Sequence, residues 1–165
     1  MKPFRNLSLE ACWAALVALA ALGPAGCVAI DGGSVEVEWT VFAADGRGVI
    51  TDCACADPPI AYVQLKLGGP PENPSQADPC QGNAACRFSC GRNDGTTPFF
   101  IPPGPYLMSI VPLTADGSPI TSDLVPDPLV GQVTKGLSHD LGAFAIQAPC
   151  ALRCHGDDLT TACGR

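Results

Sequence analysis

Ten cysteines stand in a chain of 165 residues, and their positions decide most of what the chain can become. Cys12 lies in an unbroken apolar run, Ala11 to Leu22, which follows Lys2, Arg5 and Glu10 and ends in Gly23-Pro24-Ala25-Gly26-Cys27. A positive start, a short apolar middle and a small-residue exit make a secretory signal. The run is shorter than the roughly 20 residues that a membrane-spanning helix needs, so residues 1–26 are expected to be cleaved. Export brings the chain into an oxidising compartment. There the eight cysteines that remain after Cys12 and Cys27 (Cys53, Cys55, Cys80, Cys86, Cys90, Cys150, Cys154 and Cys163) read as four disulfides, with 105 pairings open.

Grouping narrows those pairings. The cysteines form a pair (53, 55), a triple (80, 86, 90) and a tail triple (150, 154, 163). A fully oxidised triple cannot close on itself, so at least one tail cysteine must bond outside the tail. In an extended segment Cys53 and Cys55 face the same way and do not easily bridge each other. They are expected to reach Cys80, Cys86 or Cys90, stapling the long loop 68–95 to the strand it leaves. Each bridge contributes about 2–4 kcal/mol.

The stretch Pro24-Ala25-Gly26-Cys27 resembles a bacterial lipobox, although Pro24 stands where that family prefers Leu. The resemblance implies that the Cys27 thiol carries a diacylglycerol and becomes the mature N-terminus, with residues 27–33 as a lipidated tether. Two or three acyl chains, each CH₂ worth about 0.8 kcal/mol when buried, hold a protein stably on a bilayer. Val28, rather than Asp, at the second mature position implies the outer membrane of a bacterial envelope. Ordinary cleavage nearby would instead give a soluble periplasmic or secreted product.

The mature chain of 139 residues suffices for one domain with a real core. It keeps 7 basic and 15 acidic residues, a net charge of −8. Without a basic cluster, such a chain is a poor partner for nucleic acid or anionic head groups. The expected partners are the membrane, through the anchor, and a protein or glycan. Gly and Pro make up about a fifth of the chain; between them lie apolar, β-branched runs that call for a packed all-β domain.

Residues 34–43 alternate, with Val35, Val37, Trp39 and Val41 on one face and Glu36, Glu38, Thr40 and Phe42 on the other, as in a half-buried strand. Asp45-Gly46-Arg47-Gly48 is a turn. A second strand runs from Ile60 to Leu67, a third over Thr97–Ile101, a fourth over Tyr106–Leu113. Weaker strands are expected around 129–134 and 139–147. Pro103-Gly104 suits the centre of a type II turn. Short strands between turn signals predict a seven-stranded antiparallel β-sandwich, disulfide-rich, over residues 34–147, with a cysteine-bearing tail at 148–165. The run from Thr97 to Tyr106 (TPFFIPPGPY), with Val63-Gln64-Leu65 upstream, resembles the F-x-x-PPG-x-Y hairpin of transthyretin-like and carboxypeptidase regulatory-like domains. That resemblance implies an Ig-like sandwich serving as a non-catalytic accessory module.

Several constellations could carry chemistry. Cys150-Ala151-Leu152-Arg153-Cys154-His155 resembles a spaced-out c-type haem attachment motif, with His139 or Met108 as a further ligand, and implies a redox protein. Cys150, Cys154, His155 and Cys163 also have the composition of a zinc site, although an oxidising compartment favours disulfides. The intradiol dioxygenases, which use a transthyretin-like sandwich, bind iron with two Tyr and two His. Here Tyr62, Tyr106, His139 and His155 lack that family's H-x-H spacing. His139-Asp140 has no nucleophile elbow beside it. Asp116, Asp123, Asp127, Asp157 and Asp158 do not form a calcium loop. No enzyme activity and no cofactor are expected. Of Phe99 and Phe100, one should point inward and one outward.

Overall fold

The computed structural model describes residues 30–120, 127–154 and 163. The signal segment, Cys27, His155, Asp123, Asp157 and Asp158 lie outside them. The described residues are all-β, with strands β1 (Ser34–Ala43), β2 (Tyr62–Gly68), β3 (Arg87–Ser89), β4 (Asp94–Thr96), β5 (Gly104–Leu113), β6 (Leu129–Val133) and β7 (Ser138–Ala148). They form a three-stranded sheet, β4-β1-β7, and a four-stranded sheet, β3-β2-β5-β6.

Period-two alternation builds the core. Val35, Val37, Trp39 and Val41 of β1 are buried while Glu36 and Glu38 are exposed. Val63, Leu65 and Leu67 of β2 and Tyr106, Met108 and Ile110 of β5 are equally buried, and both sheets contribute to one hydrophobic cluster. The Trp39 and Phe88 rings stack across it, their centroids 6.2 Å apart. The Trp39 indole N–H donates to the Cys90 carbonyl at 2.9 Å, which satisfies the only polar atom of that side chain. Phe99 is exposed and Phe100 packs against the core, as the adjacency of the two predicts.

Three expectations need correction. The strands are not all antiparallel: β1 and β7 pair in parallel, from Ser34↔Ser138 to Ala43↔Ala148. Parallel neighbours need a long crossover, and here the whole intervening chain supplies it. The strand expected over Thr97–Ile101 instead occupies Asp94–Thr96, because Pro98 has no N–H to give a ladder. Thr97 prolongs the edge with its side chain, accepting from the Val35 N–H at 2.9 Å, while the Ser34 hydroxyl donates to the Thr97 carbonyl at 2.6 Å. The chain then turns at Phe99-Phe100, so Gly104 already pairs with Val133 instead of forming a turn centre with Pro103. Beyond its disulfides, the loop 68–95 has strand structure of its own. It contains β3 and the start of β4, each three residues long and paired at a sheet edge.

The disulfides are Cys53–Cys90, Cys55–Cys154, Cys80–Cys86 and Cys150–Cys163. Cys53 reaches the middle triple and one tail cysteine bonds outside the tail, both as expected. Cys55 does not reach the triple. The reason is local: Cys53–Cys55 is a 3₁₀ turn, capped by the Asp52 carboxylate accepting from the Ala54 N–H at 2.9 Å. With about three residues per turn, i and i+2 point in different directions, so Cys53 faces β3 and Cys55 faces the tail. The tail is bound by backbone as well, since Ala151 N–H donates to Cys55 O at 2.7 Å and Cys163 bridges Ile50.

Candidate functional site

The inward face of β2 belongs to the core, so Gln64 and Lys66 project from the opposite face of the four-stranded sheet. Strand register sets their neighbours. Gln64 lies directly between Arg87 on β3 and Val111 on β5, and Tyr62 lies between Ser89 and Leu113. Lys66, two residues beyond Gln64, is a diagonal neighbour of Arg87, within reach of long side chains.

Two loops raise walls around this face. On one side the Asp78 carboxylate accepts from the Cys80 N–H at 2.7 Å and the Leu67 N–H at 3.2 Å. The Gln64 amide donates to the Cys80 carbonyl at 3.1 Å, and the Cys80–Cys86 disulfide closes the loop carrying Gln81-Gly82. On the other side Asp116 ties the turn 114–118 together, accepting from the Thr114 and Ser118 hydroxyls and the Ser118 N–H. The Thr114 hydroxyl, first among these donors, holds the Asp116 carboxyl below its usual range. Gly117 of that turn completes the wall.

The result is a cleft of about 440 Å³, within the size range of small-molecule sites. Val111, Leu113 and Pro119 give it an apolar floor, and Lys66, Arg87, Gln64, Gln81 and Asp78 surround that floor. Among the described residues Arg47, Arg92 and Lys135 are ion-paired with Asp45, Asp94 and Asp31. Lys66 and Arg87 form no ion pair with any described carboxylate; the Arg87 guanidinium lies over the Tyr62 ring, 5.7 Å from its centroid. A second, shallower depression of about 370 Å³ beside Phe42 and Gln147 is lined by no charged side chain.

The residues singled out in the sequence are dispersed. Cys150 and Cys154 are in separate disulfides, so neither sulfur is a thiolate. His139 is half-buried at the start of β7, where its ring and the Met108 thioether both pack over Gly131. The Asp140 carboxylate accepts from the Gly142 N–H at 2.7 Å. Tyr62 lies on the outer face, whereas Tyr106 is buried and donates its hydroxyl proton to the Pro102 carbonyl at 3.0 Å. Burial pushes the Tyr106 hydroxyl above its ordinary pKa. The two tyrosines therefore do not share a site. Among the described residues no three His, Cys, Asp or Glu side chains converge as metal ligands, and no helix is long and apolar enough to cross a membrane. Sequence reasoning missed Lys66, Arg87 and Gln81. The alternation of β2 marks Lys66 as outward-facing, but nothing local announces that Arg87 will lie beside it.

Compared with known proteins, the chain matches no family model and no curated protein in sequence.

Proposed function

We propose that the chain is a lipid-anchored protein of the bacterial envelope whose β-sandwich, of transthyretin-like type, works as a non-catalytic binding module. The observation that carries the reading is the cleft on the four-stranded sheet, walled by disulfide- and carboxylate-fixed loops and lined by two cations without a described carboxylate partner. Two sheets around one core, bridged by Trp39 and Phe88, support the sandwich. Four disulfides agree with an oxidising compartment. The lipobox-like stretch before Cys27 supplies the anchor, with the outer membrane as its address. A protein or glycan surface, not nucleic acid, is the partner class that suits the net charge of the mature chain. Disulfide pairing of Cys150 and Cys154 favours this reading over a haem- or metal-bearing tail.

Intact mass of the protein taken from membranes, with and without reduction and alkylation, tests the reading. The expected result is an acylated Cys27 and eight thiols that alkylate only after reduction. An unacylated N-terminus would remove the anchor. A covalent haem adduct or free tail thiols would transfer the function to residues 150–163.

A further inference from the structure

Resting on the binding-module reading, we infer that the cleft takes a small organic monocarboxylate: an apolar body on the Val111, Leu113 and Pro119 floor, its carboxylate between Lys66 and Arg87. Charge selects the anion. The mature chain is strongly acidic, yet Lys66 and Arg87, neither paired with a described carboxylate, are diagonal neighbours on one face and line one cleft. Among the described lining residues Asp78 is the only carboxylate, and one of its oxygens already accepts two backbone N–H groups. Among the described lining residues two cations stand against one carboxylate, with Asp116 held in its own turn beside Gly117, a balance that suits a monoanion better than a phosphate dianion. The Arg87 fork suits a carboxylate in two-point geometry. The apolar floor selects against ions that have no hydrocarbon body.

The test uses the purified full-length protein in a neutral detergent and follows backbone amide shifts on titration. The probes are 3-phenylpropionate, its neutral isostere 3-phenylpropanamide, and inorganic phosphate. The acid should give saturable shifts at Lys66, Gln81, Gly82 and Gly117, and the amide should bind about tenfold more weakly, equivalent to about 1.4 kcal/mol. K66Q and R87Q should each lower affinity for the acid and leave affinity for the amide unchanged. Both residues are exposed, so the variants should keep the wild-type spectrum elsewhere. Equal binding of acid and amide would overturn the anion assignment while leaving a binding module. Phosphate binding as tight as the acid, shifts located elsewhere, or no saturation with any probe would also overturn it. The anchor is judged separately, by mass.

Discussion

Removing the Cys55–Cys154 bridge should cost more stability than removing Cys80–Cys86, although the second pair is the more deeply buried. The two bridges span 99 and 6 residues. In the chain-entropy treatment a cross-link stabilises by restricting the unfolded chain, and the effect grows with the logarithm of the closed loop. That gives about 4.7 kcal/mol for the long loop and about 2 kcal/mol for the short one. With Cys53–Cys90 intact, the long path is shortened by about a third, which lowers its figure only to about 4.4 kcal/mol. Packing acts in the opposite direction, because Cys80 is 0 % exposed and Cys55 is 6 % exposed, so a cavity would form more readily at the short bridge. The order of the two variants therefore separates loop entropy from packing. Guanidinium unfolding of C55A/C154A and C80A/C86A is the assay. A domain of this size has about 5–15 kcal/mol in total, so C55A/C154A should unfold at a far lower midpoint. A larger loss for C80A/C86A, or equal losses, would refute the reasoning.

Trp39→Phe should destabilise by about 1–3 kcal/mol, because the smaller ring leaves a void in the core and the Cys90 carbonyl loses its indole donor, keeping only the Asn93 N–H; thermal unfolding measures the loss. The Asp116 carboxyl should titrate below an ordinary carboxylate by carbon-detected NMR, and Thr114→Val should raise its midpoint. Asp116 helps the fold fully above its unfolded pKa, and that help is lost as pH falls through the lower folded value. In Asp116→Asn this part of the acid limb should be missing, and an unchanged acid limb would count against it.

The sequence discloses what is periodic and long. β1, β2 and β5 are legible because one face of each is wholly apolar, and β6 and β7 lie close to their expected spans. It does not disclose β3 and β4, since three residues are too few for alternation to register and both depend on neighbours for their pairing. The parallel β1–β7 pairing is equally hidden, being a relation between strands about a hundred residues apart. Cysteine grouping forces a bond out of the tail, but the partner of Cys55 depends on the 3₁₀ turn that Asp52 caps. The cleft was least legible. Lys66 and Arg87 stand 21 positions apart and meet only through the β2–β3 register.

Because β1 and β7 run the same way, the chain enters the fold at one pole and leaves its last strand at the other. Gly33 abuts Val133, and Val133 pairs with Gly104, the first residue of β5. From there β5 climbs nine residues to Leu113, about 30 Å at strand rise. A chain moored at Cys27 would hold the Gly104 pole nearest the lipid and raise the Leu113 side of the cleft toward open water. So moored, the fold would act as a short mast, its foot on a seven-residue tether and its height keeping the opening clear of the head groups.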